Sequence, residues 1–160
     1  MLKRGVTVKK EYNIHFKVFP KHFSPGWHNV LHFTTGRDLH DPGSRIPGVW
    51  FFPNGKNQAR SLHICSDVNE EVNTCFNSHM IPRNEWTQIN IKQELINGRY
   101  MYQILINHQL VHEVENQSPR MYKNVTIYAG DPFYSPQPGS MKDLIYTGGK
   151  NYVPIRYCIH

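Results

Sequence analysis

The segment WTQINIKQELINGRYMYQILINHQLVHEVE, residues 86–115, predicts how this chain folds. At its centre stands Asn97-Gly98, a strong hairpin signal, because a type I′ turn needs positive φ at both central residues. With this turn as the pivot, the residues that face one another are apolar or aromatic: Ile89 with Ile106, Ile91 with Ile104, and Leu95 with Tyr100. Because register and hydrophobic pattern agree, the segment is predicted to form paired antiparallel strands.

The rest of the chain also shows strand periodicity. A second turn at Asn107-His108 would add a third strand and place Ile104 opposite Val111. In YNIHFKVF, residues 12–19, apolar and polar residues alternate, and no segment shows the apolar repeat of an amphipathic helix. Further strands are predicted at residues 46–52, 61–66, 72–77, 124–130, 141–147 and 152–158. About ten short strands separated by turn residues indicate an all-β fold, an antiparallel two-sheet β-sandwich of jelly-roll type.

The length of 160 residues fits one domain with its own core. We assign residues 1–10 to a basic N-terminal arm, residues 11–149 to the sandwich, and residues 150–160 to a C-terminal tail or a last edge strand. The formal net charge is +6, with Lys and Arg concentrated in the N-terminal part. The arm is either solvated or a contact for an acidic partner, and it lacks the long basic runs of nucleic-acid-binding tails. No apolar run reaches the roughly 18 residues of a transmembrane segment.

The cysteines indicate an oxidising compartment. Residues 62–78, LHICSDVNEEVNTCFNS, are predicted to form a second hairpin that turns at residues 69–71 and places Cys65 directly opposite Cys75. Opposed residues on antiparallel strands have Cα atoms about 4.5–5.5 Å apart, which overlaps the range of a disulfide. We therefore predict a Cys65–Cys75 disulfide and an extracellular location, with two reduced cysteines as the alternative. Cys158 is left as a free thiol or an intermolecular link, which would make an oligomer.

Metal-binding patterns are weak. His28 and His32 share one face of a predicted strand about 13 Å apart, too far to chelate one ion. Calcium could be held by Asp41 or Asp131 with loop carbonyls, although both aspartates stand in sequences typical of ordinary turns. The expected cofactor is therefore none, with calcium as the alternative.

Catalytic patterns are weaker still. Glu113 and Glu115 point the same way on a predicted strand, as the paired carboxylates of glycoside hydrolases do. The sequence EVENQS nevertheless departs from the E-x-D-x-x-E pattern of jelly-roll glucanases, since Ser118 stands where the general acid belongs. No nucleophile elbow, phosphate loop or convincing Cys–His pair appears, so the chain is predicted not to be an enzyme.

The order of several segments resembles a known family. These segments are GWHNVLHFTTG, SRIPGVWFFP, LHICSDVNEEVNTCF, EWTQINIKQELINGRYMYQILIN and VENQSPRMYKNVTIYAGDPFYSPQPGSMKDLIY. Together they are similar to the concanavalin A-like, laminin-G-like jelly-roll modules of secreted and cell-surface animal proteins, especially those of marine invertebrates. The resemblance covers about residues 11–147. It implies two facing sheets and a non-enzymatic role in binding glycans or extracellular proteins, sometimes with calcium at the rim of the sandwich.

The resemblance carries no binding site residue by residue, but it indicates the role of one segment. In such modules the segment YAGDPFYSPQPGS, residues 128–140, links two late strands, and Tyr128, Pro132 and Phe133 are expected to close one end of the sandwich. The rim loops TTGRDLHDPGSR and GDPFYSPQPG are the predicted binding surface, and these residues are the candidate contacts: Arg37, Arg45, Asp131, Tyr134 and Lys142. The predicted function is extracellular recognition or adhesion through glycans, including acidic ones. A structural protein that packs through its sandwich and binds no small ligand is the alternative.

Overall fold

The computed structural model describes residues 1–38, 41–55 and 58–148, and the backbone of residues 155–159. Within these residues the regular elements are all β-strands. No helix there is long and apolar enough to cross a membrane. The strands are β1 (Lys3–Val8), β2 (Tyr12–Pro20), β3 (His28–Thr34), β4 (Gly48–Phe51), β5 (Ser61–Val68), β6 (Glu71–Met80), β7 (Thr87–Ile96), β8 (Arg99–Ile106), β9 (Gln109–Glu115), β10 (Tyr122–Tyr128), β11 (Ser135–Pro136), β12 (Gly139–Thr147) and β13 (Ile155–Ile159).

The strands form two sheets. Sheet A has the order β1-β10-β3-β4-β5-β6, and the short β11 pairs in parallel with β3. Sheet B has the order β13-β12-β2-β7-β8-β9, and its neighbouring strands are antiparallel. Strands adjacent in sequence are often in different sheets, as with β2 and β3, so the chain crosses repeatedly between the layers. The predicted antiparallel two-sheet sandwich is confirmed.

The core lies between the sheets and follows the period-two pattern. In β2, Ile14, Phe16 and Val18 are fully buried while the residues between them are half-buried. Leu31 and Phe33 of β3 meet them from the other sheet as part of the same core cluster. Alternation therefore sends the intervening side chains of each strand to the outer faces of the sandwich.

The Asn97-Gly98 hairpin has the predicted register. Both turn residues have positive φ, and Ile89 pairs with Ile106, as expected. The third strand differs by one residue, because a register irregularity between Ile104 and its neighbour places His112 opposite Ile104. The prediction that Val111 would take that position was wrong. A bulge of this kind inserts an extra residue, which periodicity does not reveal.

The ends of the chain belong to the sheets. The predicted basic arm contains β1, which pairs with β10 in sheet A. Val6 and Val8 of this strand are buried in the core between the sheets. At the other end, the backbone of β13 pairs with β12 at the edge of sheet B. Cys158 lies in β13, and its side chain lies outside the described residues.

Candidate functional site

The loops that follow β3 and β10 meet over β3, and His32 joins them. Leu31 and Phe33 face the core, so alternation places His32 on the outer side of sheet A. Its ring is fully buried, with Nδ1 2.7 Å from Oδ2 of Asp131 and Nε2 2.7 Å from the carbonyl oxygen of Ser44. A carbonyl oxygen only accepts, so Nε2 donates to it. One side chain thus fixes both predicted rim loops.

Asp131 organises the loop after β10. Its Oδ1 accepts from the backbone N–H groups of Phe133 at 3.0 Å and Tyr134 at 2.8 Å. Oδ1 of Asn29 in β3 accepts from the N–H groups of Gly130 at 3.0 Å and Asp131 at 3.2 Å. These bonds give the backbone N–H groups of the loop acceptors within the protein, and together they hold the loop in one conformation.

This arrangement differs from the expected closure of the sandwich by apolar residues. Pro132 and Phe133 are exposed, Phe133 by 44%, and Tyr128 is half-buried. The buried residue of this segment is Asp131, which packs on the outer side of sheet A, because His32 and the loop N–H groups offer it hydrogen bonds that no apolar side chain could use.

A cleft opens beside these loops. We call it the aromatic cleft, and its lining residues are Trp27, Arg45, Trp50, His63 and Tyr134. Its volume is about 190 Å³. The rings of Trp27 and His63 have centroids 5.2 Å apart, and those of Trp50 and Tyr134 lie 5.8 Å apart in an edge-to-face arrangement. Trp50 is 1% exposed, whereas Trp27, His63 and Tyr134 are half-buried and present the accessible ring surface.

Arg45 braces the cleft. Its guanidinium lies 4.4 Å from the centroid of the Trp50 ring and donates to Asp38 and to Oδ1 of Asn73, the latter at 2.6 Å. The side chain of Arg45 is 8% exposed, so its charge is paired within the protein. The predicted role of Arg45 as a ligand contact stays a prediction, and its bonds point to positioning of the aromatic rings.

Tyr134 connects the two loops at the mouth of the cleft. Its hydroxyl donates to Oδ2 of Asp38 at 3.1 Å. Burial raises the pKa of Tyr134, and the adjacent Asp38 carboxylate raises it further. The group is therefore a neutral phenol around pH 7, and its ring packs against Trp50 in an edge-to-face arrangement.

His63 stands next to the predicted disulfide, which the structure contains between Cys65 and Cys75. The Nδ1 atom lies 2.6 Å from Oδ1 of Asn77, and Nε2 lies 3.1 Å from Sγ of Cys65. Burial lowers the pKa of His63, and the nearby positive charge of Arg45 adds to this, although the Asn77 hydrogen bond opposes it. Residues 63 and 65 share one face of β5, which places the imidazole beside a sulfur of the disulfide and not beside the free thiol of a catalytic Cys–His pair.

The other predicted contacts lie away from the cleft. The side chain of Arg37 is 77% exposed in the loop after β3 and pairs with Asp41 at 2.8 Å. Lys142 lies in sheet B, where its Nζ stands 4.1 Å from the centroid of the Trp86 ring, which in turn stacks with Phe19. The structure thus brings three of the five predicted contacts to adjoining positions and leaves Lys142 on the other sheet.

The two carboxylates considered for calcium already accept hydrogen bonds within the protein. Both oxygens of Asp131 accept from protein donors, and Oδ2 of Asp41 accepts from Arg37. A cation would have to displace these bonds, so the residues do not fit a ready calcium site. Calcium at Asp41 and Asp131 stays a prediction.

The two glutamates weighed as catalytic groups are in sheet B. Glu113 accepts from the side-chain amide of Gln103, and Glu115 lies 3.6 Å from Arg99. Both are thus on a different sheet from the aromatic cleft and have ordinary cross-strand partners.

No family model and no curated protein sequence matches the chain. Solved structures do match. A heptameric SAP-like pentraxin from Limulus polyphemus has a TM-score of 0.58 at 12% identity, over 91% of this chain and 66% of the pentraxin. Domain 4 of AbnA, an extracellular arabinanase from Geobacillus stearothermophilus, was solved with arabinotriose; it has a TM-score of 0.59 at 15% identity, over 96% of this chain and 66% of that one.

A Bacteroides ovatus protein described as carbohydrate-binding has a TM-score of 0.57 at 10% identity, over 92% of this chain and 39% of that one. The chain has a concanavalin A-like jelly-roll fold. It spans less than two thirds of the length of each of these three proteins. At such identities the jelly-roll likeness establishes the fold, and the site has to be argued from the residues.

Several residues of the aromatic cleft and the loops beside it were not predicted as contacts. They are Asn29, His32, Asp38 and His63. The spacing of H-I-C in β5 could have indicated that His63 and Cys65 share a face. Nothing in the sequence indicates the link between His32 and Asp131, which are separated by 99 positions.

Proposed function

We propose that the chain is a non-catalytic, extracellular recognition module that binds a glycan in the aromatic cleft. The observation that carries this proposal is the accessible ring surface of Trp27, His63 and Tyr134 around a recess of about 190 Å³. A sugar ring has an apolar C–H face that packs on aromatic rings, and small-ligand sites are mostly apolar with a few polar groups. A recess of this size admits one sugar ring, such as a chain terminus.

The rigidity of the cleft supports binding. Trp50 is fixed by Arg45, and Tyr134 is held by Asp38 and by the loop bonds of Asp131. A preorganised site avoids the cost of ordering side chains when the ligand binds. The neighbours described as carbohydrate-binding or solved with arabinotriose support a glycan as the ligand class.

An acidic glycan is the finer proposal. Arg45 is neutralised by Asp38, so it stabilises the cleft and does not supply charge to a ligand. Arg37 extends into solvent from the same loop, and a sulfate or carboxylate would contact it in competition with its exposed partner Asp41. Such a contact would weaken as salt screens it.

The Cys65–Cys75 disulfide supports an extracellular location, because such bonds persist in oxidising compartments. The partners of Glu113 and Glu115, both in sheet B, support a non-catalytic role, since neither carboxylate faces the cleft.

The test is a glycan array on the oxidised protein, with and without calcium and at two salt concentrations, followed by titration of the best ligand into variants. Trp27→Ala should weaken binding at least about 30-fold, since truncation of an aromatic anchor typically costs about 2 kcal/mol or more. Trp86→Ala is the matched control, because Trp86 is also exposed but belongs to the other side of the sandwich. An equal loss of glycan affinity in both variants, or unchanged affinity in Trp27→Ala, would contradict the proposed site.

The assembly alternative gains weight if no glycan binds under any condition. A non-reducing gel then separates the outcomes, because a dimer that disappears in Cys158→Ser would indicate crosslinking between chains.

A further inference from the structure

The outer face of sheet A holds a cluster of three side chains, of which the glycan proposal uses only the ring of His63. A ring nitrogen of His63 and the sulfurs of Cys65 and Cys75 all lie within 4.8 Å of one another. The cluster is built on two strands, since Cys65 in β5 pairs directly with Cys75 in β6. The positions of the three donors are thus fixed by the sheet and not by a loop.

We propose that, when the Cys65–Cys75 disulfide is reduced, His63, Cys65 and Cys75 form a site for a thiophilic divalent cation such as Zn²⁺. One imidazole nitrogen and two thiolates are a recognised ligand set for zinc, with a fourth position open to water. The inference does not depend on glycan binding.

The hydrogen bond of His63 prepares the ring for this role. Oδ1 of Asn77 is an acceptor 2.6 Å from Nδ1, so the ring carries its hydrogen on Nδ1 and leaves the lone pair of Nε2 free. That lone pair faces Sγ of Cys65 at 3.1 Å. Metal-bound histidines are generally oriented in the same way, by a hydrogen bond at the other ring nitrogen.

The surroundings hold the ring in place. The centroid of Phe52 lies 5.0 Å from that of His63 and the centroid of Trp27 lies 5.2 Å from it.

Once the disulfide is reduced, the two cysteine sulfurs can take the separation that a metal ion requires. With metal–sulfur bonds of about 2.3 Å, two thiolates of a tetrahedral site stand roughly 3.8 Å apart. Directly paired cross-strand residues can accommodate this distance by small side-chain rotations, since the Cα atoms of Cys65 and Cys75 are 4.0 Å apart.

Reduction requires an external dithiol, and it has an entry point. Attack is expected at Sγ of Cys75, because Cys75 is half-buried whereas Cys65 is fully buried. One thiolate of the reductant attacks Sγ of Cys75, and the S–S bond breaks with Cys65 leaving as a thiolate. The second reductant thiolate then displaces Cys75, so the reductant becomes a cyclic disulfide and the protein gains two electrons. The cation replaces the two thiol protons, which pass to water.

The fold should survive this change. The disulfide closes a separation of only 10 residues, and the two strands also pair through the backbone along β5 and β6. A crosslink of this kind supplies a limited part of the stability of a domain of this size.

Cobalt(II) tests the proposal, since it reports thiolate and tetrahedral coordination in its absorption spectrum. The full chain with Cys158→Ser is reduced by a dithiol, freed of reductant without oxygen, and titrated with Co²⁺. We expect one equivalent bound with a thiolate-to-cobalt charge-transfer band, its displacement by Zn²⁺, and no band in the oxidised protein.

Variants identify the ligands. His63→Gln should weaken cobalt binding more than tenfold, and Asn77→Ala about 10–100-fold, the usual effect of losing a ligand-orienting partner. His79→Gln is the matched control, because His79 lies on the same strand as Cys75, about 13 Å along it and beyond a register irregularity. Near-ultraviolet circular dichroism monitors the fold throughout.

Three results would overturn the proposal. The first is a reduced chain with native dichroism that shows no charge-transfer band. The second is a chain that loses its native dichroism on reduction and does not regain it with cobalt. The third is unchanged affinity in His63→Gln.

Discussion

The bond between His32 and Asp131 gives the sharpest stability prediction. Asp131→Ala removes a carboxylate that is buried with its partner and leaves the His32 ring without an acceptor at Nδ1. It also removes the acceptor for the N–H groups of Phe133 and Tyr134. The loop after β10 should therefore lose its anchor, and the domain should lose stability.

The magnitude follows from the burial of the pair. Removing one member of a buried pair typically costs about 3–5 kcal/mol, because the other member stays buried without a partner. For a domain of this size each kcal/mol lowers Tm by about 2–4 °C, so Tm should fall by roughly 6–20 °C. Asp131→Asn should cost less, because its amide oxygen can still accept from the two loop N–H groups.

Urea unfolding followed by tryptophan fluorescence, together with calorimetry, measures both values. Asp143→Asn is the control, since Asp143 forms an exposed pair with Lys17 and its φ of 54° suits asparagine. The control should leave stability almost unchanged. A loss below about 1 kcal/mol in Asp131→Ala would refute the view that this pair holds the loops.

Further predictions concern the sheet A packing, the disulfide and acid stability. Gly48→Ala would place its Cβ 1.9 Å from the buried indole of Trp50, and should lower the free energy of unfolding by about 1–3 kcal/mol or prevent folding. Gly26→Ala is the control, because its Cβ would meet nothing within 4 Å and should leave urea unfolding unchanged. Replacing Cys65 and Cys75 by serine should lower the unfolding free energy by about 2–3 kcal/mol, and equal stability of wild type and variant would contradict this. Burial lowers the pKa of His112, so the folded state favours the neutral ring. The stability it contributes should be complete above about pH 6.5 and decline as pH falls toward the lower folded pKa; His112→Gln should flatten that slope between pH 7.5 and 5.

Local patterns predicted much of the sandwich. The Asn97-Gly98 turn, the pairing of Ile89 with Ile106, and the opposition of Cys65 and Cys75 all appear as expected. Each depends on residues close in sequence, where turn chemistry and period-two alternation fix the register. The predictions failed by one residue where a bulge intervened, because an inserted residue leaves no mark on hydrophobicity.

The N-terminal strand shows a second kind of failure. Residues 1–10 were assigned to an arm on the basis of charge, yet β1 pairs with β10 and buries Val6 and Val8. Two apolar residues in a basic segment are a weak local signal. Their burial depends on the pairing of β1 with β10 at the edge of sheet A, more than 100 residues away in the sequence.

The sequence by itself determined most of the strands, the turns between neighbouring strands, and the opposition of Cys65 and Cys75, because these follow from the chemistry of nearby residues. It also identified Arg45, Asp131 and Tyr134 as candidates. Only the tertiary structure decided what they do, since Asp131 meets His32 across 99 positions and Arg45 meets Asn73 across 28. A buried polar group must find a partner wherever the fold supplies one, and that partner's position depends on the packing of the whole sandwich.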